Sequence, residues 1–158
     1  MAKAKDEHGD RLIADNRKAG FDYHLLETFE AGIALLGTEV KSIREGGANL
    51  RDSYCILRDG EAFLIGAHVG QYSHGGSASH DPVRTRKLLL HRQELNKLIG
   101  KTTEKGLTIV PLRLYLKNGR VKIAIALAKG KKQYDKRETI RRREADRETR
   151  AAVKTRRL

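Results

Sequence analysis

Residues 129–158 limit what this chain can fold into more than any other stretch. They carry 13 Lys+Arg against 5 Asp+Glu, a net +8, and their only large apolar side chains are Tyr134, Ile140, Val153 and Leu158. Too little apolar surface is available there to offset the entropy of ordering. Any hydrophobic core must therefore be built before residue 129. The same residues are nonetheless good helix formers. Asp135 followed by Glu138 reads as an N-cap with a capping-box partner. Glu138–Arg142 and Asp146–Arg150 are favourable i,i+4 pairs, whereas Arg137–Arg141 and Arg143–Arg147 repel. This balance predicts a conditional helix, disordered alone and ordered against a polyanion.

The whole chain of 158 residues carries a net +13, so residues 1–128 hold only +5 of it. A pI of about 10.1 points to nucleic acid or an acidic membrane surface as partner. No apolar run approaches the roughly 18 residues of a membrane span. The first residues, Met1-Ala2-Lys3-Ala4-Lys5-Asp6, lack the apolar stretch of a signal peptide and the glycine of a myristoylation site. The single cysteine, Cys55, excludes an internal disulfide and a multi-cysteine zinc site. The expectation is a cytoplasmic chain whose polyanion is RNA or DNA, with no membrane partner.

Residues 1–15 are poor in apolar side chains and mixed in charge, so they read as a mobile N-terminus. Residues 16–128 suffice for one modest core. Phe21, Tyr23, Leu25 and Phe29 alternate with polar residues as a strand. Glu30-Ala31-Gly32 reads as a turn, with Ile33 to Leu36 running back. Thr38 reads as the N-cap of a short helix that stops at Gly46-Gly47. Two apolar runs flank Asp59-Gly60, a strong hairpin signal. The Gly-, Ser- and His-rich residues 70–80 read as a loop, followed by the basic cluster Arg84-Thr85-Arg86-Lys87. A helix is predicted from His91 to Ile99, closed by Gly100. Leu107 to Leu116 reads as a strand with Pro111 at an edge or bulge. Asn118-Gly119 then turns the chain into a final alternating strand through Val121, Ile123, Ile125 and Leu127. The fold class is mainly β: a small six-stranded antiparallel OB-like barrel with two or three short helices and the basic tail.

Catalytic motifs are weak throughout. His74, His80 and Asp81 could be metal ligands, but no further ligand stands at a recognised spacing, and polar loop residues are the better reading. Cys55, among Tyr54, Ile56 and Leu57, reads as a small buried hydrophobe and not as a nucleophile. Gly100-Lys101-Thr102 resembles the end of a P-loop but precedes a strand instead of following one, and its first glycine would fall on Leu95. What remains is cationic. Arg84, Arg86 and Lys87, then Lys131 and Lys132, put fixed positive charge on a rigid frame, as a phosphate backbone requires. With only five Tyr, three Phe and no Trp, stacking is limited, which favours recognition of folded RNA by shape and backbone. Glu30 is the odd charge. Near RNA a carboxylate must accept a hydrogen bond from a base or a ribose hydroxyl.

Four stretches become specific when read in order: Phe29-Glu30-Ala31-Gly32-Ile33-Ala34-Leu35, Gly37-Thr38-Glu39-Val40-Lys41-Ser42-Ile43-Arg44, Asp81-Pro82-Val83-Arg84-Thr85-Arg86-Lys87-Leu88-Leu89-Leu90, and Ala128-Lys129-Gly130-Lys131-Lys132-Gln133-Tyr134-Asp135-Lys136-Arg137. Together they resemble the SmpB family, the tmRNA-binding proteins of bacterial trans-translation, over about residues 16–143. The resemblance implies a non-enzymatic adaptor without a cofactor. Its OB-like barrel would bind the tRNA-like domain of tmRNA (SsrA RNA), and the complex with elongation factor Tu and GTP would enter stalled ribosomes. The tail would lie in the empty message channel, helical on the ribosome, at the small-subunit decoding centre.

By the same resemblance, Asn16, Arg17, Lys18, Glu30, Leu89, Lys131 and Lys132 are expected tmRNA contacts; the basic cluster adds Arg84, Arg86 and Lys87, and the outward face of the short helix adds Lys41 and Arg44. Gln133, Tyr134, Asp135, Lys136, Arg137 and Ile140 are the expected decoding-centre segment. Tyr134 holds the position of a side chain that stacks on a nucleotide. DNA is not an expected partner. The competing classes are a structural ribosomal protein whose tail threads rRNA, and a metal hydrolase built on His74, His80 and Asp81.

Overall fold

A computed structural model describes residues 10–72, 80–131 and 133–156, with side chains throughout except at positions 104–105, 133–135 and 152–156. In chain order the elements are β1 (Arg11–Asp15), α1 (Arg17–Asp22), β2 (Tyr23–Ile33), α2 (Gly37–Arg44), β3 (Ala48–Asn49), β4 (Tyr54–Arg58) and β5 (Glu61–Ile65). There follow β6 (His68–Val69), β7 (Arg86–Leu89), α3 (Arg92–Lys105), β8 (Thr108–Lys117), β9 (Arg120–Gly130) and α4 (Gln133–Arg156).

The main sheet runs β1-β8-β4-β5-β7-β2-β9, and β8 also pairs with β9. That extra pairing closes six strands into a ring and leaves β1 as an appendage on β8. Closure removes the exposed edges that an open antiparallel sheet would present. The seam between β4 and β8 is thin, with Cys55 opposite Ile109 as its one register pair. The two Gly-containing hairpins close as their dipeptides require. Asp59 and Gly60 both have positive φ (52° and 74°), as do Asn118 and Gly119 (51° and 78°), the conformation of a type I′ turn.

Alternation along the strands fills the ring. Phe29 and Ala31 of β2, Leu64 of β5, Leu88 of β7, Leu114 of β8 and Ile123, Ile125 and Leu127 of β9 are all buried in one cluster. Ile43 of α2 and Leu98 of α3 join it. On the outer face, the small side chains Ala126 and Ala128 let α1 approach, and Ala19 packs there with Val110. Tyr23 and Leu112 border this second, smaller cluster.

The structure differs from the sequence reading at several points. Residues 11–15 are not a mobile end: β1 pairs with β8 between Arg113 and Leu116, and Ile13 and Ala14 pack against the core. Glu30-Ala31-Gly32 is no turn, because β2 continues through it to Ile33. Gly32 is needed for a close approach instead: a Cβ there would sit 3.3 Å from the Cβ of Leu89. Helix α2 is capped at Leu36, whose N–H donates to Glu39 Oε1 at 2.8 Å. Thr38 lies inside the helix, and its hydroxyl meets His80 Nδ1 at 2.9 Å. Helix α3 passes Gly100 and ends at Gly106, which takes φ 61°. The second half of the basic cluster, Arg86 and Lys87, opens a strand, β7, which supplies a barrel member that the separate run from Ile33 to Leu36 was expected to provide. Pro111 does mark a bulge in the β8–β9 ladder. The tail is one 24-residue helix, and Asp135 lies within it rather than at its N-cap.

Candidate nucleic-acid interface

On the outer face of β2, β9 and β8, cross-strand register brings polar side chains around a floor of small ones. Glu30 and Arg113 both oppose Ala124, and Gly32 and Tyr115 both oppose Lys122. The Tyr115 hydroxyl donates to Glu30 Oε2 at 2.5 Å, and Lys117 Nζ lies 3.3 Å from both carboxylate oxygens. The Tyr115 hydrogen bond, countered by some burial and followed by Lys117 and Lys122, holds the Glu30 carboxyl below its ordinary range. Burial, then the bond to Glu30, pushes the Tyr115 hydroxyl upward, so it remains a donor. Glu30 is thus an ionised acceptor with a fixed orientation and exposed lone pairs, able to take a hydrogen bond from a base N–H or a ribose hydroxyl.

Beside this cluster lies an open cleft of about 370 Å³ lined by Gly32, Val40, Leu89, Gly119, Arg120 and Lys122, among others. Leu89 is 52 % exposed, a large apolar side chain presented to solvent at a basic rim. Arg44 of α2 reaches the carbonyl of Gly119 at 3.3 Å, and Arg11 donates to the Arg44 carbonyl at 2.6 Å. Lys41 stands 5.5 Å from the Tyr72 ring centroid. Glu30, Leu89 and Arg44 therefore gather at one end of the barrel, while Lys41, on the same helix as Arg44, is turned to Tyr72.

The Arg84-Thr85-Arg86-Lys87 cluster does not act as one basic patch. Lys87 is half-exposed and pairs with Glu61 at 2.9 Å. Arg84 is partly exposed, with Nη2 at 2.5 Å from Glu39 Oε1 and 3.3 Å from the Ala34 carbonyl. Arg86, expected at the RNA, is a core residue, 1 % exposed. Its Nε donates to Glu39 Oε2 at 2.5 Å, and its two Nη groups donate to the carbonyls of Ala67, Arg84 and Pro82. Strand alternation explains the correction: in β7, Arg86 and Leu88 point inward and Lys87 and Leu89 outward. Burial pushes the Glu39 carboxyl upward, but the hydrogen bonds from Arg84, the Leu36 N–H and Arg86 outweigh it and leave the group below its ordinary range. This buried pair ties α2 to β7 and so fixes both walls of the cleft.

His80, once a metal candidate, is buried with both ring nitrogens engaged: Nδ1 with Thr38 and Nε2 with the Val69 carbonyl at 2.9 Å. It joins α2 to β6. His74 lies outside the described residues.

The remaining expected contacts sit at the other end of β2. Asn16 is held by its side chain to the Pro111 carbonyl and by its N–H to the Leu112 carbonyl, each at 2.8 Å. Arg17 is almost fully exposed, and Lys18 lines a second cleft of about 400 Å³ with Tyr23, Asp52 and Tyr54. Lys131 lies nearby, its Nζ donating to the Gly20 carbonyl and to Thr139 Oγ1. Tyr23 opposes Gly130 and Gly32 opposes Lys122. At about 3.3 Å per residue, the two groups lie roughly 30 Å apart along β2. In the tail, Arg137 and Ile140 are exposed and Lys136 turns toward α1. Lys132 and the side chains of Gln133, Tyr134 and Asp135 lie outside the described residues.

Sequence reasoning missed Tyr115, Lys117 and Lys122. One signal was available: the two-residue Asn118-Gly119 turn fixes Lys117 opposite Arg120 and so Tyr115 opposite Lys122. The placement of Glu30 across β9 from Arg113 and Tyr115 depends on long-range pairing and was not readable.

Comparison with known proteins agrees with this frame. The SmpB protein family matches residues 13–155. The SsrA-binding protein of Trichodesmium erythraeum (strain IMS101) is 57 % identical over 155 residues, covering 98 % of this chain and 99 % of that protein. The SsrA-binding protein of Shouchella clausii (strain KSM-K16) is 56 % identical over 146 residues, covering 92 % and 94 %. A solved chain described as "tmRNA-SmpB: a journey to the center of the bacterial ribosome" is 47 % identical, with a TM-score of 0.64 over 81 % of this chain and 94 % of that one. A closed OB-like barrel with a basic helical extension, matched in sequence along nearly its full length, places the chain in the SmpB family.

Proposed function

We propose that this chain is a non-catalytic RNA-binding adaptor of trans-translation that binds tmRNA through the barrel and acts on the ribosome through its tail. Its relatives are SsrA-binding proteins, and a similar solved chain is described with tmRNA and the ribosome. The observation that carries the reading is the separation of two basic surfaces by roughly 30 Å of β2. One is the Glu30–Tyr115–Lys122 face with its cleft at Leu89; the other is helix α4 itself, which leaves the barrel at α1.

Each surface suits a different part of the task. At the barrel face, Lys122, Lys117, Lys41 and Arg44 offer charge to phosphates, which positions the RNA. Glu30 and Leu89 offer an oriented acceptor and an apolar contact, which discriminate a folded loop from a plain duplex. The tRNA-like domain of tmRNA has unstacked loop bases and ribose hydroxyls for both. Asn16, Arg17, Lys18, Arg84 and Lys87 extend this contact along the body, and Lys131 and Lys132 continue it at the junction. Helix α4 carries the exposed Arg137 and Ile140 toward the vacant message channel and decoding centre, and Gln133, Tyr134 and Asp135 belong to the same functional segment. Elongation factor Tu with GTP joins through tmRNA and not through this chain.

Two variants separate the surfaces. Glu30→Arg should weaken tmRNA binding at least tenfold in a filter-binding titration, while the tail stays competent. Truncation after Gln133 should leave tmRNA affinity within about twofold and abolish tagging in a reconstituted translation reaction. Parallel loss of affinity and tagging in the truncated chain would refute the division of labour.

A further inference from the structure

Glu30 stands on an open strand surface, its side chain 40 % exposed. A glutamate there has several staggered rotamers and sweeps its carboxylate through them. An acceptor that reads one RNA group binds more tightly when it is held still before the RNA arrives. Two side chains of β8 reach it. The Tyr115 hydroxyl donates to Oε2 at 2.5 Å, and Lys117 Nζ stands 3.3 Å from each oxygen. Their effects differ. An ammonium equidistant from both oxygens adds charge but selects no orientation. A hydroxyl has one proton, and giving it to Oε2 fixes that oxygen and leaves Oε1 with the freer lone pairs.

The reach depends on the sheet. Strand β9 lies between β2 and β8, so Tyr115 and Glu30 stand two strand spacings apart, about 10 Å. Between them lies Ala124, opposite both Glu30 and Arg113. It faces outward between the core residues Ile123 and Ile125 yet is buried, so side chains close over it. A bulky residue there would block the crossing. Tyr115 is partly buried, with Leu12 of β1 opposite it on one side and Lys122 of β9 on the other. Charged groups surround the pair: Lys117 and Lys122 act on the carboxyl, and Arg113 and Asp10 on the hydroxyl. The Tyr115 hydrogen bond is the largest influence on Glu30, ahead of burial, which opposes it, and of Lys117 and Lys122; together they hold the carboxyl below its ordinary range. The one proton of the hydroxyl is committed to this bond, so Tyr115 has none to donate to RNA.

We propose that Tyr115 is a positioning residue of the RNA face, which touches Glu30 instead of RNA and sets the orientation in which that carboxylate meets one group of a folded RNA. The phosphate contacts of Lys122 and Arg44 supply affinity for any RNA and do not depend on this bond. Discrimination between tmRNA and a plain duplex does. The consequence for binding rests on the tmRNA reading above, whereas the hold of Tyr115 on Glu30 is a property of the free chain.

The test uses the full chain and two readouts. In the free chain, the carbon-13 shift of the Glu30 side-chain carboxyl is followed against pH in the parent and in Tyr115→Phe, which keeps the ring and removes the hydroxyl. The midpoint should lie below 4.5 in the parent and rise toward it in the variant, with the thermal midpoint little changed. An unchanged carboxyl midpoint would overturn the positioning role without reference to RNA. Filter-binding titrations with tmRNA and with a loop-free RNA duplex then compare the parent, Tyr115→Phe, Glu30→Ala and the double variant. Tyr115→Phe should weaken tmRNA binding about three- to tenfold, keep duplex binding within about twofold and leave the salt slope unchanged. In the Glu30→Ala background the same change should weaken binding by less than about twofold, because the carboxylate through which Tyr115 acts is gone. An equal loss in both backgrounds would put Tyr115 on the RNA itself and overturn the proposal. Glu30→Ala binding tmRNA as the parent does would refute the RNA reading of this face, and the free-chain titration would still decide the positioning.

Discussion

Replacing Arg86 by methionine tests whether the walls of the RNA cleft depend on a buried charge. Arg86 is 1 % exposed and Glu39 0 %. Removing one partner of a buried ion pair costs about 3–5 kcal/mol, because the other charge is left in a low-dielectric site. Two features of this site pull in opposite directions. Arg84 and the Leu36 N–H remain on Glu39 Oε1 and soften the loss. The carbonyls of Ala67, Arg84 and Pro82 lose their common donor, at about 1 kcal/mol each where water cannot replace it. Arg86→Met should therefore lose about 3–5 kcal/mol of the 5–15 kcal/mol that stabilise a typical domain. In a urea titration with a slope near 2 kcal/mol per molar, the midpoint should fall by about 2 M. Adding Glu39→Gln removes the stranded charge and keeps an acceptor for Leu36, so the double variant should be more stable than Arg86→Met alone. A single-variant loss below about 1 kcal/mol, or a double variant as unstable as the sum of its parts, would refute the reasoning.

The same pair gives an acid limb. The folded Glu39 carboxyl lies below its unfolded value of 4.5, so its contribution is complete above that pH and is lost as pH falls through the folded value; stability measured from pH 5 downward should drop, and should drop less in Glu39→Gln. Lys122→Ala should weaken tmRNA binding three- to tenfold and reduce the salt slope by about one ion, and an unchanged slope would remove Lys122 from the phosphate contacts. Burial pushes the Cys55 thiol up to about 12, so its reaction with a thiol reagent at pH 8 should follow the unfolding rate; fast labelling of the native chain would contradict its burial.

How much of this could be read from sequence depended on how local the determinant was. Asp59-Gly60, Asn118-Gly119 and Pro111 act through their own backbone preferences, and two I′-type turns and a bulge stand where they were expected. Helix α3 ran past Gly100 because glycine lowers helix propensity without forbidding a helix, and only Gly106 takes the left-handed conformation that ends one. Gly32 looked like a turn, but its lack of a side chain serves Leu89 on another strand, a fact no local pattern contains. Arg86 and Lys87 looked alike in sequence; strand alternation buried one and exposed the other, and the buried guanidinium is tolerated only because Glu39 arrives from α2, 47 residues away. β1 was hidden by its flanking charges and is made a strand by β8. In the candidate site, Glu30 and Leu89 stood out by chemistry and by family motif. Tyr115 and Lys122 stood out only once register placed them beside Glu30.

The central claim is that the barrel recognises one kind of folded RNA and not nucleic acid at large. Sequencing the RNA that co-purifies with the tagged full-length chain, beside Glu30→Arg prepared identically, tests it most directly. The expected result is tmRNA as the dominant species with the parent and its depletion at least tenfold with Glu30→Arg. Recovery of ribosomal RNA alone, in equal amount with both proteins, would contradict the account and favour a structural ribosomal protein.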